Sequence, residues 1–414
     1  MRLQVAHPTD HPGVDELPFD QPLATWSLDG MHDVLGVHRH EVRVLELAEL
    51  TYVVKELPDD LARREYSLLR ELAEDGLPTV EVVALVTERA DGLDGVLITR
   101  HLDYSLPYRS LLSGRGLTIP FLGDRLLDAL VGLLVRLHLE GFFWGDCSLS
   151  NALFRRDAGT LTAYVIDVET GERHKALSDG QRRLDLMIAC DNVAGGLLDL
   201  QEAGRLRADI DPFTVAAEIE RRYQHLWEEL TAVDTTDLGD YRSVRRRLDR
   251  LHELGFDVEE LEVVTTADGQ HLRVVPRVVE HGFHTERLLR LTGLRAGENQ
   301  ARRMLEDIKT FAADMRGRDG TSIAENIAAV RWLDQRFEPI IAAIPDHLIV
   351  RLEAAEIFHQ LLEHRWYLAE ELGRHVAVEE AIESYLADVL ASSPDERVQL
   401  DEPTAEIERI EVLP

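Results

Sequence analysis

Asp146 and Asn151 stand close together in the run Gly141-Phe-Phe-Trp-Gly-Asp-Cys-Ser-Leu-Ser-Asn-Ala-Leu-Phe154, and Ala163-Tyr-Val-Ile-Asp-Val-Glu169 follows soon after. The first run reads as a loop entering a short apolar strand. The second reads as a strand that delivers Asp167. Two carboxylates and an amide are thereby carried to the ends of neighbouring strands. Phosphoryl transfer uses such a set: one carboxylate beside the attacking hydroxyl, with an amide and a second carboxylate to hold magnesium against ATP phosphates. An Asp and an Asn at this spacing are common by chance, so the surrounding chain has to decide.

Lysine usage supplies the first context. Of 45 basic residues only Lys55, Lys175 and Lys309 are lysines. Lys55 lies in Thr51-Tyr-Val-Val-Lys-Glu-Leu57, a β-branched and apolar run bounded by Pro58. A compact ammonium on a flexible stem suits phosphates plus one carboxylate, where a planar guanidinium does not fit. The plainer alternative is an ordinary lysine at a strand end. Asp59 to Glu74 places Leu61, Leu68, Leu69 and Leu72 on one face and predicts an amphipathic helix. Glu65 shares that face. A carboxylate on a buried face needs a cation, which makes Lys55 its nearest candidate, with Arg64 or Arg70 as partners if Glu65 sits on the rim.

With these elements in order, residues 25–205 resemble the protein-kinase-like superfamily, in particular its compact bacterial branch of lipopolysaccharide-core sugar kinases and aminoglycoside or choline phosphotransferases. The resemblance implies an α+β fold: a bilobal domain with an antiparallel N-lobe sheet and a helical C-lobe. It implies ATP and Mg2+ as cofactors. Val-Val-Lys55 looks like the ATP-anchoring strand and Glu65 like its helix partner. Val80–Val86 and Gly95–Leu102 read as two further strands, and Ile119–Glu140 as the long helix before the catalytic loop. Leu102-Asp103-Tyr104 then stands as the hinge, which puts Asp103 among the nucleotide-binding residues. Gly36, in Gly36-Val-His-Arg-His40, occupies the phosphate-covering loop; Arg39, His38 or His40 either reach phosphate there or are solvated turn residues. Gly145-Asp146-Cys-Ser-Leu-Ser-Asn151 looks like the catalytic loop of the small-molecule branch. By similarity Asp146 orients or deprotonates the acceptor hydroxyl, while Asn151 and Asp167 hold the metal. Glu169 is either an extra metal ligand or a hydrogen-bond partner of its own loop. Asp185 resembles the buried carboxylate that braces the catalytic loop; its alternative is a surface pair with Arg182.

The chain also departs from the family pattern. Trp144 replaces the usual His two residues before the catalytic Asp, and an indole can donate but cannot titrate. Val168-Glu169 stands where Phe-Gly follows the metal-binding Asp. The phosphate-covering loop has one glycine where a fuller loop has three. Ser148 replaces the lysine of protein-phosphorylating members, and no Ala-Pro-Glu signal separates Glu169 from the next helix. These last features point to a sugar, small-molecule or lipid-linked acceptor. Trp144 and the thin glycine loop leave a non-catalytic nucleotide-binding regulator as the alternative. AMP transfer or protein phosphorylation on the same fold is a third reading.

Length suggests two or more domains. A formal charge of −32 argues against nucleic acid or an anionic membrane surface as the main partner. No apolar stretch is long enough to span a membrane. Cys147 and Cys190 make no disulfide framework, which suits a reducing cytoplasm; Cys147 itself reads as a small packing residue. Residues 1–24, rich in proline, read as an extended arm, and residues 393–414 as a frayed acidic tail.

From 206 onward helices are expected over Phe213–Leu230, Asp240–Leu254, Thr285–Leu291, Glu298–Met315, Ser322–Phe337, His347–Leu372 and Val378–Ala391, with a hairpin at 261–275. This half resembles an uncharacterised bacterial helical family found after sugar-kinase-like domains, on Gly297-Glu-Asn-Gln-Ala-Arg-Arg-Met-Leu-Glu-Asp-Ile308 and Phe358-His-Gln-Leu-Leu-Glu-His-Arg-Trp-Tyr-Leu-Ala-Glu370. Arg242, Arg245, Arg246, Arg247 and Arg250 read as a solvated helix face. Glu356, His359 and Glu363 share one helix face at carboxylate–histidine metal spacing, without the second such pair that a di-iron site needs. His281 and His284 flank a helix start where anionic substrate could touch.

Overall fold

The computed structural model describes residues 1–33, 39–107, 111, 122–206, 209–231, 234–237, 258–265, 271–278, 282–319, 323–393 and 395–397. Its first layer is a six-stranded antiparallel sheet. The strands are β1 (Arg2–Val5), β2 (Met31–Asp33), β3 (Glu41–Leu47), β4 (Leu50–Leu57), β5 (Val82–Thr87) and β6 (Gly95–Arg100), in the order β1-β5-β6-β4-β3-β2. The order sets β4 beside β6, with Lys55 opposite Leu97. Helix α1 (Asp59–Glu74) packs on this sheet. Pro58 leads in with extended backbone, Asp59 and Asp60 occupy the first turn, and Ala62, Glu65, Tyr66, Leu68, Leu69 and Leu72 are buried. Acidic residues there favour the positive helix end.

The N-terminal segment differs from the expected extended arm. Residues 2–5 join the sheet as its edge strand against β5, and Val14, Phe19 and Leu23 are buried in a cluster on the outer sheet face. Arg89 fastens it, donating to the Phe19 carbonyl at 2.7 Å and to Glu56. The prolines interrupt regular structure without freeing the chain.

After β6 come β7 (Ser105–Pro107), α2 (Leu122–Leu139) and β8 (Phe142–Phe143). A hairpin follows, β9 (Ala152–Asp157) and β10 (Thr160–Val165), with β7 paired along β9. Its two-residue turn holds Ala158 and Gly159 at φ 53° and 83°, the left-handed geometry of tight hairpins. β11 (Glu172–Arg173) pairs with β8. Helix α3 (Asp179–Glu202) starts with a capping box in which Ser178 and Gln181 serve each other's backbone.

Helix α4 (Pro212–Thr231) buries Ile219, Tyr223, Leu226 and Leu230 in the same core as α2 and α3. The kinase-like core therefore extends past the expected boundary at residue 205. Three strands follow: β12 (Asp234–Asp237), β13 (Val258–Thr265) and β14 (His271–Val278), ordered β12-β14-β13; the first was not expected.

A separate apolar core from Leu288 to Leu390 unites α5 (Phe283–Thr292), α6 (Glu298–Asp319), α7 (Glu325–Trp332), α8 (Glu338–Ala342), α9 (Asp346–Ile349), α10 (Ala354–Leu372) and α11 (Val378–Asp388). The single helix expected over His347–Leu372 is broken at residues 350–353, where Leu352 turns into the core. The helix expected over Asp240–Leu254, with its arginines, lies outside the described residues, as do His281 and residues 398–414.

Candidate active site

Lys55 is the hub of the first group of residues. Its Nζ donates to Glu65 Oε2 at 3.0 Å and Oε1 at 3.3 Å, and to Asp167 Oδ2 at 3.1 Å; Glu169 Oε2 lies at 3.5 Å. The structure thus brings together four residues drawn from β4, α1 and the loop after β10. The alternative partners of Glu65 are engaged elsewhere: Arg64 donates to the Gly171 carbonyl and Arg70 pairs with Glu74. Burial pulls the Lys55 ammonium down, but Asp167 and Glu65 more than offset it, so its pKa stands above the ordinary lysine value. Burial pushes Glu65 up to about 7, helped by repulsion from Asp167, with Lys55 compensating only in part.

Residues of the loop between β8 and β9 form a second group. Gly145 has φ 76°, a conformation natural to glycine, which turns the chain just before Asp146. Asn151 Nδ2 donates to the Asp146 carbonyl at 2.9 Å and to its Oδ2 at 3.0 Å. Asn192 Nδ2, from α3, donates to Asp146 Oδ1 at 3.1 Å and to the Cys147 carbonyl at 3.2 Å. Each oxygen of the Asp146 carboxylate is therefore held by an amide. Burial raises the Asp146 pKa, opposed by the Asn151 hydrogen bond. Asn192 escaped the sequence reading. The available signal was its spacing, two helical turns after Asp185 on one face of α3.

Asp185 is fully buried and accepts from the backbone N–H groups of Trp144 (2.7 Å) and Gly145 (2.8 Å). His138 Nε2 lies 3.0 Å from Asp185, and Tyr223 Oη lies 2.7 Å from His138 Nδ1. The chain Tyr223–His138–Asp185 extends the expected brace through two residues absent from the sequence reading. Arg182 pairs with Asp179 instead and stacks on Trp227. Trp144 is fully buried, and its indole N–H donates to the Asp167 carbonyl at 2.8 Å. The departure at this position thus becomes a direct tie between the two loops. Cys147 is buried, and burial raises its thiol pKa well above the usual range, which fits a packing role.

Glu169 is nearly buried and faces two side chains from the segment before β3. Arg39 pairs with one carboxylate oxygen, while His40 Nε2 lies 3.2 Å from the other. Gly36 and His38 lie outside the described residues. Asp103 sits between β6 and β7, 3.6 Å from both Arg100 and His101. Burial would raise its carboxyl, but His101 and then Arg100 hold it below the ordinary value.

Among the described residues, ligand atoms of Glu65, Asp167 and Glu169 lie within 4.8 Å of one another. Glu65 is occupied by Lys55. Asp167 and Glu169 offer carboxylate oxygens, the hard donors that a divalent cation such as Mg2+ prefers.

The Glu356/His359/Glu363 spacing has a different use. Glu356 accepts from the Ala158 backbone N–H (3.2 Å), Gln300 Nε2 (2.8 Å) and Gln360 Nε2 (2.9 Å), and His359 lies 3.1 Å from Arg303. His284 lies at the start of α5, where Glu298 caps its backbone N–H.

Residues 24–187 match the model of the lipopolysaccharide kinase (Kdo/WaaP) family. The N-terminal part of the chain is kinase-like. Residues 225–390 match a domain of unknown function, DUF4032. No curated relative matches the chain. Among solved structures, the chain is similar to WaaP in complex with acyl carrier protein, at 23% identity, covering 55% of this chain and 100% of that one with a TM-score of 0.36. Among the described residues no helix is long and apolar enough to cross a membrane.

Proposed function

We propose that the chain is an ATP- and Mg2+-dependent phosphotransferase acting on a hydroxyl of a sugar, small-molecule or lipid-linked acceptor in the cytoplasm. The observation that carries this reading is the convergence of Lys55 on Glu65 and Asp167 beside an Asp146 held at both oxygens. Lys55 contacts the nucleotide phosphates, with Glu65 fixing its position. Asp103 and the hinge frame the adenine. Asp167, Asn151 and Glu169 would hold Mg2+, which supplies charge neutralisation at the transferring phosphoryl group. Asp146 orients the acceptor hydroxyl and accepts its proton. A carboxylate with a raised pKa is better matched to that proton transfer than an ordinary one.

Two further features support the reading. Only the two-residue β11 lies between Asp167 and the start of α3, leaving little platform for a protein substrate. Trp144, one of the two grounds for a non-catalytic alternative, is spent on joining the catalytic loop to Asp167.

Calorimetry with Mg-ATP tests the nucleotide half of the proposal. Wild type is expected to bind, and Lys55→Ala to bind at least tenfold more weakly, a loss of about 1.4 kcal/mol or more. Equal affinities would refute the role of Lys55. Metabolite comparison between cells carrying wild type and Asp146→Ala identifies the acceptor as the compound that accumulates unphosphorylated in the variant.

A further inference from the structure

The hairpin β9–β10 carries Asn151 immediately before its first strand and Asp167 just beyond its second. Its far end, the turn, is gripped residue by residue by the C-terminal helical region. Arg155 pairs with Glu353 at 2.8 Å. Arg156 makes a two-pronged bond to Glu396, which is 1% exposed, and its carbonyl accepts from Gln300 Nε2. Asp157 caps helix α6 from outside that helix: its carboxylate accepts from the backbone N–H groups of Asn299 (3.0 Å) and Gln300 (2.8 Å), and from Thr162 Oγ1 on β10 (3.0 Å). The Ala158 N–H donates to Glu356.

Gly297 shows how close this joint is. A Cβ there would sit 2.5 Å from Asp157 Oδ1, inside contact distance. The same C-terminal segment reaches the hinge, where the Arg397 carbonyl accepts from the Tyr104 N–H at 3.1 Å.

Four consecutive charged or buried groups at one hairpin turn are more than packing requires. Buried carboxylates such as Asp157 and Glu396 are costly unless paired. We propose that the helical region matching the domain of unknown function is a positioning module: it holds the β9–β10 turn so that Asn151 and Asp167 stay at metal-binding separation. Glu356 in that region and Glu396 just beyond it are positioning residues, and together with the start of α6 they hold Arg156, Asp157 and the Ala158 N–H of the hairpin. The role assigned to Asn151 and Asp167 rests on the phosphotransferase reading, whereas the mechanical coupling does not.

Two readouts on the full chain separate these. In Gly297→Ala, amide exchange across residues 150–167 is expected to quicken at least tenfold relative to wild type, including Ile166, whose N–H is bound to the Asn151 carbonyl. The Mg2+ dependence of ATP affinity is expected to fall about tenfold, with metal-free ADP affinity unchanged. Ile308→Val loosens the core of the same helical region away from the joint and is expected to move neither. Unchanged exchange in Gly297→Ala, or an equal change in Ile308→Val, overturns the coupling. Quickened exchange with unaltered Mg2+ dependence overturns the positioning role alone. If wild type binds no nucleotide while exchange responds as expected, the phosphotransferase reading fails and the coupling stands.

Discussion

Glu65 shows how a single buried carboxylate leaves a measurable trace. Its pKa rises from the ordinary 4.5 to about 7 in the folded protein. Between those values the folded state binds a proton that the unfolded chain releases. The stabilising contribution is complete below pH 4.5 and is lost as pH rises to 7, with an upper bound of about 3 kcal/mol. Urea denaturation of the nucleotide-free protein should therefore show stability falling over this window, and Glu65→Gln should flatten the slope. An identical slope in the variant would contradict the environment assigned to Glu65. The Lys55–Glu65 pair was legible in sequence because helical periodicity alone puts Glu65 on the face of α1 that meets the sheet.

Asn192 was not legible, because the rotation of α3 about its axis depends on tertiary contacts. Asp185 fixes that rotation by capping two backbone groups of the catalytic loop, and Asn192 then falls against Asp146. Asn192→Ala should lower kcat about tenfold, worth about 1.4 kcal/mol at the transition state, while the KM for ATP changes less than twofold. A loss confined to KM would assign Asn192 to binding instead.

At the scale of elements, the loop before β3 and the loop after β10 meet through charge. Arg39 and His40 converge on Glu169, next to Lys55. The sequence left these cations as either phosphate contacts or solvated turn residues, since a single glycine says little about a loop's direction. On the proposed phosphotransferase reading, their place beside Glu169 and Lys55 favours phosphate contact. Arg39→Ala should weaken ATP binding roughly three- to tenfold and AMP binding hardly at all, as titration of each nucleotide would show. Equal losses for both would place Arg39 away from the terminal phosphates. The edge strand β1 was missed for a different reason: Pro8 and Pro12 punctuate the chain just after it, and four residues are too few to show a period.

Across the described residues as a whole, three apolar cores and one joint describe the arrangement. The kinase-like core takes in α4, which the expected boundary at residue 205 had excluded, because helix periodicity cannot say which core an amphipathic helix covers. The second core was legible as helices but not as a partner of β9–β10. Glu356 and His359 have metal-ligand spacing, yet Glu356 is consumed by three donors. Spacing on one helix cannot reveal what the facing element supplies.

The most direct measurement compares wild type with Asp146→Asn, following Mg-ATP binding by calorimetry and phosphoryl transfer from labelled ATP into a cell extract fractionated into metabolites and lipids. The account predicts equal binding within about threefold, with labelled acceptor formed by wild type and transfer reduced at least a hundredfold in the variant. Equal transfer by the two proteins would contradict it.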